Sequence, residues 1–163
     1  MRPDPDEVRR WLAAIPDPEL PFVSLVDLGI VRAVEWQDGT CVVTITPTYS
    51  GCPAMAVIAD AIKESLHNHD IASHRVVTRL APAWTTDWIL PEARHKLKDA
   101  GIAPPGKVID ISGLQSRSSA PSVSCPRCDS PRTRLISQFG STPCKALYRC
   151  VDCLEPFDHF KPH

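Results

Sequence analysis

The chain has 163 residues, a formal net charge of −1, 43% hydrophobic residues and 23% charged residues. That is ordinary globular composition, and the balanced charge removes bulk attraction to nucleic acid or anionic lipid as an organising principle. No run approaches the roughly 20 apolar residues of a membrane span. The opening MRPDPDEVRRWL lacks the apolar core of a secretory signal, so a cytoplasmic protein without a membrane partner is expected. Two counts stand out: 17 prolines, and seven cysteines of which five follow Ser124. Cysteines gathered at one end point to a local device rather than to a disulfide framework.

Asp4-Pro5 suits a helix start, and Val8, Trp11, Leu12 and Ile15 recur at helical spacing until Pro16 and Pro18 stop the pattern. In DPELPFVSLVDLGIV the carboxylates Asp17, Glu19 and Asp27 read as local caps and turn formers. Ile30–Trp36 and Thr40–Thr46 are rich in Val, Ile and Thr, and Asp38-Gly39 between them tolerates the positive φ angles of a hairpin turn. Pro53 opens a second helix with Met55, Ile58, Ala59, Ile62 and Leu66 along one face. His74–Ala81 reads as a third strand. Trp84 and Trp88 read as core, and Pro91–Ala100 as a third helix ended by Gly101. The order α-β-β-α-β-α predicts a small α+β domain over residues 1–111, a short sheet with covering helices. A serine-rich stretch, 112–124, reads as a linker, and 125–163 as a second, small domain.

That tail carries Cys125-Pro-Arg-Cys128 and Cys150-Val-Asp-Cys153, with 21 residues between the pairs. Two such pairs predict a tetrahedral S4 zinc site in a zinc ribbon, with the metal supplying stability that so short a segment lacks. Leu135, Ile136, Phe139, Leu147, Tyr148, Phe157 and Phe160 are expected to pack a thin sheet around it. Cys144 is an alternative ligand or a thiol with its own role, and His159 and His163 are further candidates. Four thiolates leave no open coordination position, so the site is expected to be structural. An S4 set accepts iron as well as zinc. Six Lys/Arg against four Asp/Glu in the tail make a thin footprint for nucleic acid, and none is expected as a partner.

Thr46-Pro-Thr-Tyr-Ser-Gly-Cys-Pro53 joins the second strand to the second helix. A helix N-terminus favours a thiolate, which predicts a lowered pKa for Cys52. Gly51 permits a tight turn beside it, and Thr48, Tyr49 and Ser50 can donate hydrogen bonds to a bound anion or sulfur atom. Cys52 is then a reactive or metal-binding thiol, or a small apolar cap on the helix; the spacing allows both. Cys41, inside an alternating strand, reads as structural. His67, His69 and His74 read as helix-end and surface residues, and no nucleophilic triad, P-loop or dinucleotide fingerprint is present.

Asp17-Pro-Glu-Leu-Pro, Asp27-Leu-Gly-Ile-Val and Thr46–Pro53 resemble the signature of the iron–sulfur cluster assembly domain family. The join to FGSTPCKALYRCVDCLEPFDHFK, with AWTTDW (84–88 with Ala83) and GIAPP from Gly101, resembles the PaaD family of the 1,2-phenylacetyl-CoA epoxidase systems. The resemblance implies a non-catalytic accessory subunit in phenylacetate degradation, which matures or inserts an iron–sulfur or iron centre of a partner. It implies as partners the other epoxidase subunits, a di-iron oxygenase and a reductase. Cys52 matches the family's cysteine position, which makes it the candidate for transient cluster contact. Because clusters usually take four Cys ligands, a homodimer or a client's thiols would complete the set. The alternative is a structural interaction subunit of the epoxidase complex that handles no cluster.

Overall fold

The computed structural model describes residues 2–106 and 122–162, so most of the stretch read as a linker, and His163, lie outside the described residues. The chain forms two compact α+β units. Of the described residues, 2–84 and 88–93 make the first; 85–87, 94–106 and 122–162 make the second.

In the first unit, helix α1 (Pro5–Leu12) starts where Asp4 caps it, its Oδ1 accepting from the Asp6 N–H at 2.8 Å. Val8 and Leu12 are buried, and Trp11 stacks on His69 at 4.0 Å. The helix ends before Ile15, not at it, because Pro16 disfavours helical geometry in the residue it follows. Residues 16–30 form no regular element. Leu20, Val23, Leu25, Leu28 and Ile30 pin this segment to the core. Asp17 and Asp27 act as expected: Asp17 Oδ1 accepts from the N–H groups of Glu19 and Leu20, and Ser24 and Asp27 cap each other's backbone N–H at 3.0 Å.

Strands β1 (Val31–Gln37) and β2 (Thr40–Ile45) form the predicted hairpin, with Asp38 at φ +46° and Gly39 at φ +85°. Helix α2 (Met55–Asn68) buries Ile58, Ile62 and Leu66. It carries the chain across to β3 (His74–Thr78), which pairs parallel to β2 in the sheet order β1-β2-β3. A parallel pair requires such a crossover. The third strand stops short of Ala81. Trp84 is buried, and its Nε1 donates to the Leu28 carbonyl at 2.9 Å. Gly29 (φ +67°) lies against the Trp88 main chain, where a Cβ would meet the Trp88 carbonyl O at 2.5 Å. Only glycine combines that conformation with that approach.

Helix α3 (Pro91–Asp99) ends at Gly101 (φ +78°) as expected. In the second unit a four-stranded sheet has the order β4-β7-β6-β5, from β4 (Ile102–Ala103), β5 (Thr133–Ser137), β6 (Lys145–Cys150) and β7 (Pro156–Phe160). The two-residue β4 pairs parallel to β7. Ala103, Cys125, Cys150 and Phe157 form the core of the ribbon, with Val123 and Tyr148 against it. The expected packing around the metal site holds for Phe157 and Phe160, both buried. It fails for Leu135, Ile136 and Phe139, which are exposed on and beyond the edge strand. So thin a sheet has more apolar side chains than inner positions.

Candidate metal centre and thiol loop

The ribbon brings Cys125, Cys128, Cys150 and Cys153 together, with all four Sγ atoms within 4.8 Å of one another. Cys125 and Cys153 are 3.7 Å apart, and Cys128 and Cys150 3.6 Å. A tetrahedron with metal–sulfur bonds of about 2.3 Å has edges of about 3.8 Å, so these thiols fit a zinc or iron ion. The separations are far too long for disulfides.

Two similar turns build the group. In the first, the Asp129 N–H donates to the Cys125 carbonyl, and Asp129 adopts φ +59°. In the second, the Cys150 N–H donates to the Glu155 carbonyl, and Leu154 adopts φ +64°. Each turn thus reverses at the residue after its second cysteine. Asp tolerates the left-handed region readily, whereas Leu adopts it only under constraint. Cys125 and Cys150 are fully buried, and Cys128 and Cys153 exposed. The Cys153 backbone N–H, then the surrounding thiols, hold the Cys150 thiol down at about 7 against the opposing effect of burial. A bridge ties the two turns together: Asp152 accepts from Ser130 Oγ and pairs with the Arg132 guanidinium. Lys98 Nζ pairs with Asp129 at 2.6 Å.

The other tail candidates among the described residues stand apart from this group. Cys144 is buried with its Sγ 3.1 Å from Thr142 Oγ1. His159 is buried edge-on to Tyr148 at 5.4 Å, and burial pushes its pKa down to about 4. Cys41 is fully buried in β2, and burial raises its pKa. Two histidines of the first unit bond locally: His69 Nδ1 lies 2.8 Å from the Ser65 carbonyl O, and His74 Nδ1 2.7 Å from that of Ile71.

Cys52 is half-buried in the loop between β2 and α2. Thr46 and Thr48 anchor the loop inside, while Ser50 and Gly51 are more open to solvent. The Cys52 N–H donates to the Tyr49 carbonyl at 3.2 Å, and the Tyr49 ring lies 3.3 Å from where a Gly51 Cβ would stand. The expected lowering of the Cys52 pKa is overturned. Burial raises it first, and the charges of Glu19 and Asp17 add to that, outweighing a hydrogen bond from the Ala54 backbone. The helix begins only at Met55, with Ala54 as its cap, so Cys52 lies outside the first turn where the dipole acts. Asp17, which caps its own turn, and Glu19 are thus electrostatic neighbours of Cys52. More than thirty residues of sequence separate them from it, so no local pattern signals this.

Comparison with known proteins gives a match for each unit. The family described as "Iron-sulfur cluster assembly protein" matches residues 5–78, and the "PaaD zinc beta ribbon domain" matches residues 111–161. A component of the "Putative 1,2-phenylacetyl-CoA epoxidase" of Escherichia coli (strain K12) is 48% identical over 98% of this chain and 93% of its own length. An Fe-S protein maturation auxiliary factor of Bacillus subtilis (strain 168) is 36% identical over 47% of this chain and 76% of its own. Among solved structures, a domain of unknown function (DUF59) from Bacillus anthracis superposes with a TM-score of 0.53 at 28% identity. It covers 56% of this chain and 89% of that one. Among the described residues, no helix is long and apolar enough to cross a membrane. With both domains matched and the Escherichia coli protein covered almost end to end, the chain belongs to the PaaD family, in which an iron–sulfur cluster assembly domain is joined to a zinc β-ribbon.

Proposed function

We infer that this chain is a non-catalytic accessory factor of a phenylacetyl-CoA epoxidase system, and that it helps mature or insert the iron–sulfur or iron centre of a partner subunit. The observation that carries this reading is the half-buried Cys52 thiol, set in an anchored loop beside the negative potential of Asp17 and Glu19. Relatives matching this unit are named Fe-S protein maturation auxiliary factors, which supports it.

The electrostatics suit brief contact with a cationic cargo. Burial and the two carboxylates keep Cys52 protonated near neutral pH, so binding iron there displaces a proton. The same carboxylates that disfavour a bare thiolate attract a metal cation. A single reluctant thiol holds its cargo weakly and releases it to a client with more cysteines. A second copy of this chain, or the client's own thiols, completes the coordination. Cys125, Cys128, Cys150 and Cys153 hold a structural zinc, and Thr48, Ser50 and Gly51 shape the loop around Cys52.

Co-expression with the epoxidase reductase and oxygenase tests this. Cys52→Ala is expected to leave the fold and the ribbon metal intact while lowering the partner's iron or cluster content. Wild-type metal content and activity in the partner would instead make the chain a structural component that handles no cluster.

A further inference from the structure

Alternation along the ribbon strands sorts side chains onto two faces. Tyr148 contacts the rings of Phe157 and His159 on the face that carries the ribbon core. Arg149 follows Tyr148, and Arg134 precedes its register partner Leu135, so both arginines belong to the opposite face. There the register sets them directly across from each other. Like charges opposed in this way destabilise a strand pair.

Nearby cations are engaged: Arg132 with Asp152, Lys145 with Asp158, and Lys161 over the ring of Phe139. Among the described residues neither Arg134 nor Arg149 has a carboxylate partner. Arg149 Nε donates to the Leu154 carbonyl at 3.1 Å, which places Leu154 beside the pair. Ile136 lies at the bulge between Leu135 and Ser137, two residues beyond Arg134. Ile136 is 50% exposed and Leu154 59%. Among the described residues, two guanidiniums without a carboxylate partner thus share a stretch of the ribbon with two exposed aliphatic residues.

We propose that Arg134, Arg149, Ile136 and Leu154 form a docking surface for an acidic polypeptide segment of a partner protein. A carboxylate bridging the two guanidiniums turns a repulsive pair into two charge-assisted interactions, and arginine is suited to that geometry. Apolar side chains of the segment cover Ile136 and Leu154, as an interface core does. A phosphate backbone fits less well. Its affinity scales with the number of cations engaged, and aliphatic flanks offer no stacking platform for bases. This inference is independent of the role assigned to Cys52.

The test titrates isotope-labelled full-length chain with a short glutamate-rich peptide carrying leucines, with its glutamine analogue, and with mixed-sequence duplex DNA. The acidic peptide is expected to shift the amides of Arg134, Ile136, Arg149 and Leu154. R134E and R149E are each expected to weaken binding about tenfold or more. R134E is also expected to keep or raise the melting temperature, because an unlike pair replaces a like one; R149E additionally loses the bond to the Leu154 carbonyl, so only its binding is read. Ile136→Ser is expected to weaken binding several-fold. R134Q and R149Q are expected to lose affinity in the same way, and they carry the test if a reversal variant fails to fold. Equal affinity for the glutamine analogue, unchanged affinity in the arginine variants, or shifts centred elsewhere would overturn the proposal. Saturable DNA binding at this face with no peptide binding would replace it with a nucleic-acid surface.

Discussion

The two thiol-bearing regions solve opposite problems. In the ribbon, four sulfur atoms crowd within 4.8 Å, and only a handful of buried residues surround them. In the β2–α2 loop, one half-buried thiol sits in a unit with many more buried apolar side chains. On the proposed reading the ribbon depends on its cysteines for its fold, whereas the first unit is free to use a cysteine for contact with something that leaves. Cysteine density marks where stability is scarce. The lone thiol is placed by apolar packing elsewhere in its unit.

The largest expected effect breaks the ribbon and spares its neighbour. Cys150→Ser, or removal of metal by a chelator, is expected to abolish amide protection across β5, β6 and β7. Structural zinc contributes on the order of 10 kcal/mol in small domains, more than this core can replace. Protection in β1–β3 should persist. Hydrogen exchange on the full chain reads both, and ribbon amides that stay protected would contradict the account.

The converse variant attacks the first unit. Gly29→Ala drives a Cβ into the Trp88 carbonyl from a left-handed backbone. A loss of about 3 kcal/mol is expected in denaturant unfolding of that unit, with the metal content of the ribbon unchanged. A loss below about 1 kcal/mol would show that the contact relaxes.

A smaller effect separates the units by pH. His159 is buried neutral, with its pKa down at about 4 against an ordinary 6.5. The unfolded chain binds the proton more readily, so this contribution is fully present above about pH 6.5 and is lost as pH falls towards 4. It amounts to at most about 3 kcal/mol, and His159→Phe should flatten that part of the ribbon's stability profile relative to wild type. The smallest effect concerns reactivity. Cys52 is expected to alkylate more slowly than a free cysteine at neutral pH and to gain rate as pH rises, because its thiolate is scarce. Faster alkylation than free cysteine would reverse the electrostatic argument.

What the sequence discloses is the local part of this comparison. Asp38-Gly39 marks its hairpin because the turn's φ angles depend on those two residues alone. Ile58, Ile62 and Leu66 mark the buried face of α2 by spacing. The paired CxxC turns disclose the thiol cluster because each turn is closed within a few residues. What stays hidden is set by distant partners. Ile102–Ala103 is too short to carry a pattern, and only its pairing with β7 makes it a strand. Leu135, Ile136 and Phe139 look like core until the sheet is seen to be too thin to cover them. The Cys52 pKa is raised first by burial and further by Glu19 and Asp17, and both depend on segments the fold brings near from elsewhere in the sequence.

The most direct test of the division of labour is metal analysis of anaerobically purified full-length chain, comparing wild type, Cys52→Ala and Cys150→Ser. The account predicts that Cys52→Ala keeps its zinc and loses any labile iron, while Cys150→Ser loses its zinc. Zinc lost with Cys52, or labile iron retained without it, would contradict the assignment of structure to the cluster and of chemistry to the single thiol.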